Sequence, residues 1–121
     1  MLIEIGGKEY TLLFSWGFLE EVNKRLGISM ETQEGGTIPL QQMGVLKLNA
    51  GLETRDAITL VHIIQSATVT ERQKPSKVDI QHFIEQLLID NKYTEFYEEL
   101  EEEIKKQPLL DNLMKQYFGT E

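Results

Sequence analysis

"LIEIGGKEYTLLFSWGFLEEVNKRLG", residues 2–27, changes its hydrophobic period part-way along. Up to Phe14 the apolar residues alternate. Ile3 and Ile5 share one face of a first strand, and Tyr10, Leu12 and Phe14 share one face of a second. Gly6-Gly7 supplies a two-residue turn of the kind that needs positive φ, and Gly7-Lys8 is a shifted alternative. The first register sets Glu4 against Glu9, an unfavourable pair, whereas the second sets Glu4 against Thr11. Both leave the same apolar residues on one face. From Ser15 the period becomes helical: Phe18, Leu19, Val22 and Leu26 lie on one side, Glu20, Glu21, Lys24 and Arg25 on the other. Ser15 is placed to cap this helix and Gly27 to end it. A lone hairpin is marginal in water, so its apolar face must rest on helices.

The rest of the chain reads as helices separated by turn signals. Residues 28–38, "ISMETQEGGTI", read as a mobile loop, and Pro39 as the start of a helix reaching Leu52 that Gly44 and Gly51 weaken. Thr54 reads as the cap of the next helix, with Ala57, Ile58, Val61, Ile64, Ala67 and Thr68 as its buried stripe. Pro75 disfavours helix at Lys74, and Ser76 with Asp79 forms a weak capping box. Ile80, Phe83, Ile84, Leu87 and Leu88 make the following stripe. After the break at Asp90-Asn91, Tyr93, Phe96, Tyr97, Leu100 and Ile104 make another, ending at Pro108. The expected fold is α+β and mostly α-helical, with the N-terminal hairpin packed on a bundle of about five helices. One domain over residues 1–121 is expected, with 90–121 readable as a separable C-terminal helix pair.

Composition bounds the function. The chain has 121 residues, 40% of them hydrophobic, which suits one modest core. There is no cysteine, so disulfides and thiolate metal or redox sites are excluded. No apolar run reaches membrane-spanning length, and the N-terminus shows strand-like alternation with Glu4 in place of a basic flank and long apolar run. A soluble intracellular protein without membrane contact is therefore expected. The net charge of −8 repels phosphate backbones, so direct nucleic-acid binding is disfavoured. The same charge serves solubility, and DNA mimicry could also produce it.

No catalytic signature emerges. His62 and His82 fall on different helices, each beside an apolar stripe and outside any HExxH arrangement. No nucleophile elbow, Walker loop or GxGxxG occurs. "DNKYTEFYEELE", from Asp90, superficially resembles a calcium loop, but its sixth position is Glu95 and its aromatics follow a helix stripe. "EELEEE", residues 98–103, is a solvated helix face. No cofactor, metal or catalytic residue is expected.

Two features point to protein contacts. Trp16 follows the hairpin directly, where it either plugs the junction with the helix or anchors a partner at the surface. Leu109, Leu110, Leu113, Met114, Tyr117 and Phe118 crowd one face of the last helix. That face either completes the core against residues 80–104 or meets another chain in helix-in-groove fashion.

The opening "LIEIGGKEYTLLFSWGFLEEVNKRLG", the helix "RDAITLVHIIQSAT" and the capped helix "KPSKVDIQHFIEQLL" together resemble the tail assembly chaperones of long-tailed bacteriophages. The resemblance covers roughly residues 2–89. Residues 90–121 share only an acidic, helical, terminal character, and "EGGTIPLQQMGVLKLNAGLE" is longer than the family spacing. The resemblance implies a non-enzymatic helical domain that assembles with copies of itself. It further implies coating of the tape-measure protein in the host cytoplasm, recruitment of tail tube subunits, and absence from the finished virion. Members commonly occur in short and frameshift-extended forms. An open strand edge and apolar helix faces are compatible with such a role. The alternative is an acidic inhibitor or adaptor of a host protein, acting as a DNA mimic.

Overall fold

The computed structural model describes residues 1–31, 37–40 and 43–118. The elements run β1 (Leu2–Ile5), β2 (Lys8–Thr11), α1 (Trp16–Leu26), β3 (Ile28–Glu31), β4 (Thr37–Leu40), α2 (Met43–Thr54), α3 (Ala57–Ala67), α4 (Lys77–Ile89), α5 (Tyr93–Lys105) and α6 (Pro108–Phe118). The fold is α+β and mostly helical, with the N-terminal hairpin laid on the helices. The described residues form six helices, close to the expected number, and Pro108 opens the last of them.

The hairpin takes the Gly6-Gly7 turn. Both glycines have positive φ, 59° and 81°, and Glu4 pairs with Glu9. Both carboxylates are exposed, so water screens the repulsion that counted against this register. Ile3, Ile5, Tyr10, Leu12 and Phe14 are all buried in the common core. The exit of β2 is tied down. The Thr11 N–H donates to the Glu71 carboxylate (3.1 Å). The Leu13 N–H, just beyond the strand, donates to the Ala67 carbonyl (3.0 Å). These bonds tie the strand exit to the end of α3 and the turn that follows it.

The reading of residues 28–38 as a loop and of Pro39 as a helix start is corrected. β3 and β4 pair antiparallel, with Ile28 opposite Leu40 and Met30 opposite Ile38. Ile28, Met30, Ile38 and Leu40 carry a period-two signal that the intervening Gly35-Gly36 obscured; residues 32–36 lie outside the described residues. Proline is tolerated in β4 because both strands of a two-stranded sheet are edges. The helix therefore begins at Met43. The two glycines that weaken its propensity are where it crosses its neighbours. A Cβ on Gly44 would lie 2.5 Å from the Asn23 Cα, and one on Gly51 would lie 2.3 Å from the Thr59 Cγ2.

The cap of α3 is Asp56, not Thr54. Arg55 turns the chain with φ 53°. The Thr54 hydroxyl donates back to the Ala50 carbonyl, closing α2. The Asp56 carboxylate accepts from the Thr59 N–H (2.7 Å) and hydroxyl (2.8 Å). These bonds hold the Asp56 carboxyl below its ordinary range. At α4 the expected cap is present, the Asp79 N–H donating to the Ser76 hydroxyl (3.1 Å). Ser15 occupies the cap position of α1 without a side-chain bond. Asn91, at φ 57°, breaks the chain between α4 and α5.

Around this frame α1 packs on α2 and α3, α3 on α4, α4 on α5, and α6 on α2 and α5. Phe83 and Phe96 meet edge-to-face at 5.3 Å and join α4 to α5. The Tyr93 and Tyr97 hydroxyls donate to the Arg55 and Asp56 carbonyls (2.6 and 2.5 Å), pinning α5 to the α2–α3 corner. Burial, more than the nearby Tyr93 and Asp56, pushes the Tyr97 phenol well above its ordinary pKa.

Candidate interaction surfaces

The last helix divides between inside and outside. Leu110 and Met114 are buried, and Leu109 and Leu113 are half-buried against the same core. The side chains of Tyr117 and Phe118 lie outside the described residues. What is described of this face therefore packs on α2 and α5. Spacing alone could not decide this, since an apolar stripe looks the same whether it meets its own chain or another.

Trp16 does not plug the hairpin junction. It is 68% exposed, beside the exposed Leu13. Phe14 and Phe18 fill the junction instead, edge-to-face at 5.0 Å. Trp16 precedes the inward-facing Phe18 by two residues, which on a helix puts it on roughly the opposite side. Trp16 and the C-terminal helix thus present two separate features.

A further surface arises where the expected α3 stripe is corrected. Leu60, Val61, Ile63, Ile64, Ser66, Ala67 and Thr68 are buried, whereas Ala57 is exposed and Ile58 is 72% exposed. The helix carries two overlapping apolar arcs, and packing on α1 selects the one through Leu60 and Ile63. That rotation leaves Ile58 on the rim of a groove between α3 and α4. Ala57, Val61 and Ile84 also line it, with Leu88, Gln81 and Glu85. Leu88, expected in a buried stripe, is exposed, as are Val78 and Ile89. The signal in the sequence was a surplus: α3 and α4 carry more apolar residues than one buried stripe each requires.

Ile58 also lines a second depression, with Arg25, Lys47, Asp56, Thr59 and His62. Burial first, then the charges of Arg25 and Lys77, lower the His62 pKa. His62 and His82 stand on different helices. Among the described residues no group of three His, Cys, Asp or Glu side chains is placed to hold a metal ion. No described helix is long and apolar enough to cross a membrane.

A family model described as "Phage tail assembly chaperone protein, TAC" matches residues 2–117. The match includes the C-terminal helices, beyond the reach of the motifs read from the sequence. No curated protein and no solved structure matches the chain.

Proposed function

We infer the function from one premise: the chain belongs to the phage tail assembly chaperone family, whose model spans nearly all of it. It acts without catalysis, coating the tape-measure protein in the host cytoplasm and helping to bring tail tube subunits to it. It works as a homo-oligomer and leaves before the virion is complete. The family match carries this reading. The surface supports it in two ways. Exposed apolar side chains on α3 and α4, among them Ile58, Leu88 and Ile89, suit a helical partner. The net charge of −8 keeps copies from clumping while favouring basic partners.

Co-expression with a fragment of the tape-measure protein tests the reading. The two chains should co-purify, several copies of this protein per fragment. A fragment that stays aggregated and purifies without this protein would refute it.

A further inference from the structure

We infer that the α3–α4 groove is the seat of an amphipathic helix whose apolar stripe is flanked by Lys or Arg. The assignment rests on the coating role and names the surface that performs it.

The first observation is where the exposed apolar area lies. Among the described residues, Ile58, Val78, Leu88 and Ile89 are four of the seven exposed large apolar side chains, and all four are on α3 and α4. Val78, Glu85 and Ile89 recur at helical spacing on the outer face of α4, next to Leu88. The groove floor is also apolar, with Val61 and Ile84 buried beneath Ile58. The second observation is shape. Two packed helices bound the groove, and α3 has 11 residues, room for roughly three turns of a third helix. A partner stripe at i, i+3/i+4 and i+7 would meet the Ile58 and Leu88 walls in turn.

Charge fixes the partner's chemistry. Glu85 stands on the rim with no ion-pair partner among the described residues. Among those residues, Glu85 is the one charged side chain that lines the groove, so a partner's cations belong beside it.

Ile58→Asp separates this account from nonspecific attraction, because it adds negative charge while destroying apolar area. The side chain is largely exposed, so the variant should melt like the wild type. The probe is a fluorescein-labelled amphipathic Leu/Lys helix, with its Leu/Glu counterpart as control. Ile58→Asp and Leu88→Asp should each weaken binding of the Leu/Lys peptide by roughly tenfold or more. Glu85→Lys should weaken the Leu/Lys peptide and favour the Leu/Glu one. Unchanged or tighter Leu/Lys binding by Ile58→Asp would overturn the assignment. So would loss of self-association in that variant without peptide, which would make the groove a contact between copies. A tape-measure fragment that co-purifies equally with wild type and Ile58→Asp refutes the groove but not the coating role. Peptide binding that follows this pattern, with no co-purification of the fragment, refutes the coating role but not the groove.

Discussion

Leu110→Ala tests whether the last helix belongs to the core. Leu110 is fully buried on α6, which packs on α2 and α5, and Met114 lies buried one turn further on. Truncating a fully buried leucine removes its transfer free energy and leaves a cavity, at about 2–5 kcal/mol. A middle value of about 3 kcal/mol, at about 4 °C per kcal/mol for a domain of this size, lowers the melting temperature by about 12 °C. Leu109→Ala, at a half-buried position on the same helix, should cost about 1 kcal/mol. Deleting residues 108–121 removes both buried side chains at once and uncovers apolar surface on α2 and α5, so the remaining domain should unfold or melt far lower. Thermal unfolding followed by circular dichroism reads all three, with sedimentation in parallel for self-association. A Leu110→Ala variant that melts like the wild type but no longer assembles would refute the reasoning and return the helix to an interface.

Other perturbations probe the remaining joints. Leu12→Asp places an unpaired charge at a buried position of the hairpin and should leave little folded protein; a near-wild-type melting curve would deny the hairpin its core role. Gly44→Ala drives a Cβ against the α1 backbone at Val22 and Asn23, and should cost about 1–3 kcal/mol despite improving helix propensity; equal or higher stability by denaturant titration would mean α1 and α2 are not in close contact. Tyr97→Phe removes a buried hydrogen bond to the Asp56 carbonyl, costing about 1 kcal/mol at neutral pH. Because the phenol's folded-state pKa is raised, its contribution is complete below the ordinary tyrosine range near pH 10 and is lost as pH rises through the folded value. Stability measured from pH 8 upward should therefore fall less steeply in Tyr97→Phe than in the wild type, and parallel curves would contradict the assignment.

The sequence was most legible where one periodicity had one interpretation. Ile3, Ile5, Tyr10, Leu12 and Phe14 are buried in either turn register, so the hairpin's contribution to the core survived an ambiguity about its turn. The α1 stripe and the Ser76 cap were equally unambiguous. Legibility failed where two patterns shared the same residues. On α3 the expected stripe is buried at Val61, Ile64, Ala67 and Thr68 but exposed at Ala57 and Ile58, while Leu60 and Ile63 beside it are buried. The strands at Ile28–Glu31 and Thr37–Leu40 are four residues each, too short for alternation to outweigh the glycines between them. Thr54 and Asp56 are both good caps, and the left-handed Arg55 between them is a tertiary choice, fixed by the tyrosines of α5. Trp16 was undecidable for a related reason: Phe14 and Phe18 compete for the same junction and fill it.

The central claim is that this chain coats a long helical partner, and the most direct measurement is the mass of the complex as the partner lengthens. Tape-measure fragments of increasing length, each co-expressed with the full chain and weighed by native mass spectrometry, should carry copies in proportion to their length, because a coat repeats along its substrate. A fixed single copy on every fragment would describe an adaptor at one site, and no complex at all would remove the coating role; either result would contradict the account.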